Sequence, residues 1–118
     1  MKRLGFWLAP LAFLAVPAAA QDCASPRTQF DLNVCSSLAA QAADDELNRL
    51  WRMLKPIADA RGDGQALLSS QRAWLTYRDA TCEAERDSYG QGSFAPTAYY
   101  TCIERMTRQR NADFRAMF

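Results

Sequence analysis

The chain has 118 residues, 14 basic and 13 acidic side chains, a formal net charge of +1 and no histidine. That length holds one small domain, and the charge balance offers no basic excess for nucleic acid or an anionic membrane. The missing histidine removes the commonest general base and a principal zinc ligand.

Residues 1–20 read as a secretory signal peptide. Lys2 and Arg3 precede an apolar run from Leu4 to Val16, broken by Gly5 and Pro10, and Ala18-Ala19-Ala20 offers a small-residue cleavage site. The run falls short of the roughly 20 residues that span a bilayer. Gln21-Asp22 ahead of Cys23 does not resemble a lipobox. The expectation is an exported protein, periplasmic or secreted, cut after Ala20 and without a membrane anchor. Its single domain is residues 21–118, with 12 basic against 13 acidic residues.

Thr28 with Asp31 three residues on resembles a capping box and starts a first helix. Apolar positions recur at Leu32, Cys35, Ala39, Ala43, Leu47, Leu50, Leu54 and Ile57, the spacing of a long amphipathic helix. Pro56 is expected to kink it or end its regular part, and Arg61-Gly62-Asp63-Gly64 is a stop and turn. A second helix begins near Gln65, with Asp63 as its candidate cap, and runs to about Asp87. Ser88–Pro96 is a glycine-containing loop. A third helix follows from about Pro96 to Ala116, with Tyr99, Cys102, Ile103, Met106, Arg110 and Phe114 toward the bundle. No segment alternates convincingly as a strand. The fold class is all-α: a long antiparallel helical hairpin plus a third helix, tied by two disulfides.

Cys23, Cys35, Cys82 and Cys102 all lie in the exported part, and an even count in a short secreted chain reads as two disulfides. No C-x-x-C and no histidine are present, which argues against a metal site. Pairing Cys23 with Cys35 and Cys82 with Cys102 uses the shortest loops and is preferred. Cys35–Cys82 with Cys23–Cys102 also fits an antiparallel register.

The stretch Gln71–Cys82 puts Gln71, Trp74, Leu75, Arg78 and Cys82 on one helical face, and Asp44, Leu47, Asn48 and Trp51 share a face of the first helix. Antiparallel winding sets Asp44 level with Arg78 and Asn48 level with Gln71. Asp44 and Arg78 read first as a buried structural ion pair. Asn48 and Gln71 read as interhelical hydrogen bonds, and Trp51 and Trp74 as core. A catalytic carboxylate pair among Asp44, Asp45, Glu46, Asp79, Glu83, Glu85 and Asp87 lacks any mark of a buried, protonated member. No histidine and no G-x-S-x-G elbow support nucleophilic catalysis. No catalytic residue, metal or cofactor is expected. The loop is a different case, because Tyr89, Gly92, Ser93 and Phe94 sit on a connection longer than a tight turn requires. They form a candidate recognition site, with a simple cap on the bundle as the equal alternative.

Taken together, Asp44-x-x-Leu47-Asn48-x-x-Trp51, then Gln71-x-x-Trp74-x-x-x-Arg78-x-x-x-Cys82, then Gly92-Ser93, then Cys102 with Thr107 and Arg110 resembles the lysozyme inhibitor LprI N-terminal-domain family. Cys23, Thr28-Gln29 and Cys35 fit its opening segment, so the resemblance covers nearly all of residues 21–118. Trp51 stands where tyrosine is common, and the lipobox of the naming member is missing. The resemblance implies a small exported helical domain that binds lysozyme or another peptidoglycan hydrolase without chemistry of its own. Ser88–Pro96 would be the part that enters the enzyme's cleft, with Glu83, Glu85 and Asp87 steering toward a cationic partner. The alternative is a structural or adaptor domain of the cell envelope. A small-ligand site at Asp44, Gln71 and Arg78 is the third reading, disfavoured because so small a bundle is expected to leave little room for a pocket.

Overall fold

A computed structural model describes residues 22–118, and the expected signal peptide lies outside the described residues. Three helices follow in order: α1 (Gln29–Arg61), α2 (Gly64–Asp87) and α3 (Ala95–Arg115). No strand occurs among the described residues. Cys23 pairs with Cys35 and Cys82 with Cys102, the shortest-loop arrangement. The all-α, disulfide-tied architecture is the one expected.

The Thr28 hydroxyl accepts from the Asp31 N–H at 3.0 Å while the Asp31 carboxylate accepts from the Thr28 N–H at 3.1 Å, a closed capping box that starts α1. Its buried stripe is Ala40, Ala43, Leu47, Leu50, Leu54 and Ala58. This corrects the expected series at its ends. Leu32 and Ile57 are exposed and Ala39 is half-buried. At the hairpin end a small residue, Ala58, faces inward where the chain turns back most tightly. Pro56 does not end the helix, which continues to Arg61. The bond that Pro56 lacks is the one to the carbonyl of Arg52, and both residues are exposed, so water can serve that carbonyl.

Gly62 terminates α1 at φ 96°, donating to the carbonyls of Ala58 and Asp59. A Cβ at Gly64 would collide with the Asp59 side chain and come within 3.0 Å of its Cα. The expected Asp63 side-chain cap on α2 does not form. Both Asp63 carboxylate oxygens instead accept from Arg61 at 2.9 Å.

Two apolar clusters fill the bundle. Leu47, Leu50, Leu54 and Phe114, flanked by Trp51, Leu67 and Trp74, form the one nearer the hairpin turn. Ala40, Cys82, Cys102 and Ile103, flanked by Tyr99, Tyr100 and Met106, form the other. Two buried polar residues on α3 sit between them in sequence. Thr107 is fully buried, and Asn111 donates to the Ala43 carbonyl at 3.0 Å. At the α3 start, Gln29 Nε2 donates to Thr97 Oγ1 and Asn33 Oδ1, which fastens the first turns of α1 and α3 together.

Glu46 joins the far end of α3 to α1. It accepts from Arg49 at 2.6 and 2.7 Å and from Arg115 at 2.8 Å. These hydrogen bonds, Arg49's first and then Arg115's, hold its carboxyl down at about 2, against an ordinary 4.5. A depressed carboxyl stabilises the fold above its unfolded pKa and loses that contribution as pH falls through the folded value. The stability difference between the native protein and Glu46→Gln is therefore expected to be full at about pH 6 and to vanish by about pH 2. Urea midpoints across that range check it, and a difference that does not change with pH contradicts it.

Candidate functional site

The register inferred from the two helical faces is realised at its centre. Arg78 Nη1 donates to Asp44 Oδ1 at 3.2 Å and to Thr107 Oγ1 at 3.3 Å, while Nε donates to Asp79 Oδ1 at 2.9 Å. Its guanidinium also lies over Trp74, 5.3 Å from the ring centroid. The Arg78 side chain is 12% exposed, but that of Asp44 is 45% exposed. The bridge is therefore half-solvated rather than buried, and Arg78 keeps Asp79 and Thr107 if Asp44 is lost. Asp44→Ala is accordingly expected to lower stability by about 1 kcal/mol. A urea-melt loss near 4 kcal/mol would instead mark a truly buried pair.

The expected Asn48–Gln71 contact is not made. Asn48 is exposed, and Gln71 turns toward α3, where its Oε1 accepts from Arg110 Nε at 3.0 Å. The physical reason lies in Arg110, whose guanidinium is 5.6 Å from the Trp74 centroid and 4.9 Å from that of Phe114. A charged donor fixed between two rings outcompetes a solvated amide for the Gln71 oxygen. Burial pushes Arg110 below the ordinary arginine range. Trp51 and Trp74 pack against the apolar cluster around Phe114, as core residues do.

Open space lies on both sides of the bridge, bounded mainly by α1 and α3 on one side and by α1 and α2 on the other. One cleft of about 400 Å³ is lined by Ser37, Gln41, Tyr99 and Tyr100. The other, about 390 Å³, is lined by Asn48, Trp51, Gln71 and Arg72. Asp44 and Arg78 border both. The expectation that the bundle is too small for a pocket is thus corrected. Half-buried Arg78 and Asp44 hold the helices at a polar distance that close-packed leucines would have collapsed.

At the opposite end of α2, the 88–94 connection is a run of turns. Tyr89, Gly90, Gly92 and Ala95 donate in succession to Arg86, Asp87, Tyr89 and Gly92 carbonyls at 3.0–3.1 Å. Gly90 takes φ 58°, which a side chain would resist. The rings of Tyr89 and Phe94 meet edge to face, centroids 5.1 Å apart, and both remain exposed. Ser93 is exposed beside them. A shallow cleft of about 460 Å³ lies alongside, bordered by Arg86, Asp87, Gly92 and Pro96. Two of the acids expected to steer a partner are already paired, Glu85 with Arg105 and Asp87 with Arg86.

No cluster of three metal-ligating side chains occurs among the described residues, and all four cysteines are in disulfides. Thr107 and Asn111 are the polar residues that sequence reasoning placed least well, whereas Arg110 faces the bundle as expected. Thr107 lies four residues after Ile103 and Asn111 three before Phe114, the helical spacing that was the available signal for both.

A family model described as lysozyme inhibitor LprI matches residues 20–114. An uncharacterized protein of Rhizobium meliloti (strain 1021) is 33% identical over 126 residues, covering 93% of this chain and 91% of its own. No solved structure matches. The family match takes in α1, α2, both disulfides and nearly all of α3, and on that span the chain belongs to the lysozyme inhibitor LprI family.

Proposed function

We propose that the protein is exported to an oxidising compartment, periplasmic or extracellular, and inhibits a lysozyme-type peptidoglycan hydrolase by occupying its cleft with the 88–94 loop. The observation that carries this reading is the exposed Tyr89–Phe94 pair on a connection braced by consecutive turns and by the Cys82–Cys102 disulfide. Aromatic side chains held in one conformation give contact area at low ordering cost. Lysozymes work with two carboxylates in an open groove, so a protrusion that fills the groove inhibits without chemistry. A stable complex needs roughly 1,600 Å² of buried surface, more than the loop alone presents, so the adjoining ends of α2 and α3 would take part. Ser93 and Gly92 would lie at the contact. With Glu85 and Asp87 neutralised by arginine, Glu83 is left as the acid for steering, and the association rate is expected to depend only weakly on salt.

The test is titration of the oxidised protein into a peptidoglycan-lysis assay with several lysozyme classes. Stoichiometric inhibition of one class supports the reading. Tyr89→Ala with Phe94→Ala is expected to weaken that inhibition by a factor of roughly a hundred, equivalent to losing about 3 kcal/mol at an interface centre, while thermal stability stays within a few degrees. Inhibition unchanged in the double variant would remove the loop from the interface. No inhibition of any class at micromolar excess would leave an envelope adaptor domain.

A further inference from the structure

The open space along α1, bounded by α3 at one end and by α2 at the other, is interrupted. The Asp44–Arg78 bridge crosses it and separates the two clefts, so a helix or strand laid along the groove would have to break the bridge. A small ligand would not. The cleft nearer the hairpin turn, about 390 Å³, lies at the low end of the range for small-molecule sites. Leu47, Leu68 and Leu75 give it an apolar lining, and Trp51 contributes a ring steadied by Phe114, 5.9 Å away.

Its polar groups are of a defined kind. Gln71 is 7% exposed and lines the cleft. Arg110 is a donor only, so the Gln71 atom it meets at 3.0 Å must be the oxygen. The NH2 group is thereby turned away from Arg110, and it has no hydrogen-bond partner among the described residues. That NH2 is not sealed from water: the one buried side-chain atom without a hydrogen-bond partner among the described residues is Asn111 Oδ1, so the Gln71 donor is open to the cleft that it lines. Next to it Arg72 makes no ion pair among the described residues, and Asn48 makes no side-chain hydrogen bond there. Asp44, already on Arg78 through one oxygen, still offers acceptor capacity.

We propose that this cleft binds a single carboxylated sugar ring. The apolar face of the ring would lie on Trp51 and the leucines, its carboxylate would meet the donors of Arg72 and Gln71, and its hydroxyl or amide groups would meet Asn48 and Asp44. A neutral sugar leaves Arg72 unanswered, and an aromatic acid leaves Asn48 and Asp44 unanswered. Arg110 is the positioning residue, since it sets which end of the Gln71 amide faces the cleft. The site is remote from the 88–94 loop and stands independently of lysozyme binding.

The experiment is NMR titration of the ¹⁵N-labelled oxidised protein with N-acetylmuramic acid, N-acetylglucosamine and phenylacetate, following the Trp51 indole and Gln71 amide N–H signals. Saturable shifts are expected with the first, and binding weaker by roughly tenfold with each of the others. Gln71→Glu keeps an acceptor for Arg110 but replaces the NH2 donor with a carboxylate oxygen. It is expected to weaken N-acetylmuramic acid roughly tenfold or more at unchanged melting temperature. Arg72→Gln, an exposed change, is expected to bring N-acetylmuramic acid down to the level of N-acetylglucosamine. Absence of saturation by N-acetylmuramic acid, equal binding of phenylacetate, or full-strength binding by Arg72→Gln overturns the proposal. The lysis assay reads the loop separately, so either reading can fail while the other holds.

Discussion

Replacing Cys82 and Cys102 together by alanine is expected to lower the unfolding free energy by about 3 kcal/mol and the melting temperature by roughly 12–24 °C. The bridge closes a 20-residue segment that contains the whole α2–α3 connection. Without it the unfolded chain regains the freedom that the cross-link removed. Both sulfurs are fully buried in the cluster with Ala40 and Ile103, and Met106 Sδ lies 3.8 and 3.9 Å from them, so the packing around them is lost as well. Cys23–Cys35 provides the internal contrast. It closes 12 residues and fastens an exposed lead-in ahead of α1 that contributes nothing to either apolar cluster. Because that lead-in can detach without opening the bundle, Cys23→Ala with Cys35→Ala is expected to cost about 1 kcal/mol or less. Urea melts of the two double variants decide the matter. Equal losses would mean that the lead-in unfolds with the bundle rather than before it.

Phe114→Ala is expected to cost about 4 kcal/mol. Phe114 is fully buried and packs among Leu47, Leu50 and Leu54, the residues that hold α3 against α1. Total stability for a domain of this size is of the order of 5–15 kcal/mol, so the variant is expected to sit near the edge of folding at body temperature. Circular dichroism melts measure this directly. The loss also has a local signature. Phe114 is one of the two rings that hold Arg110, at 4.9 Å, and Arg110 holds Gln71. Slowed exchange of the Arg110 Nε proton in the native protein, and its acceleration in Phe114→Leu, would report that clamp without unfolding the chain. A loss below about 2 kcal/mol would show that the cluster collapses into the space the ring leaves.

The helices were legible because apolar spacing, a capping box and a glycine stop agree with one another over α1 and α2. The Asp44–Arg78 register was legible for a related reason. A charged residue on an otherwise apolar face has few places to find its counter-charge, and antiparallel winding leaves one at the right level. The partner of Gln71 was less accessible, because Asn48 and Arg110 stand at comparable distance in the topology. The choice between them depends on Trp74 and Phe114 converging from different helices to fix the arginine. Leu32, Ala39 and Ile57 show the limit of periodicity. A face can be read from spacing, but how far a neighbouring helix covers it is set by lengths and turns elsewhere. The clefts were missed for a similar reason, since small volume was inferred from chain length while the spacing of α1 and α2 is set by the polar bridge between them.

The two connections of the bundle differ in how much change they accept. At the α1–α2 hairpin, Gly62 needs a left-handed backbone and Gly64 has Asp59 where any side chain would go. An enlarged residue at Gly64 would have to displace the Asp59 side chain and press on its Cα, and one at Gly62 would strain a left-handed backbone. The 88–94 connection is exposed, spans helix ends already fastened by a cross-link, and doubling its length would cost only about 0.6 kcal/mol. Over evolutionary time, substitutions and insertions should be purged from the first connection and accumulate in the second. Under the proposed function, the lineage could exchange one target for another by rewriting seven residues, while the scaffold that presents them is inherited intact.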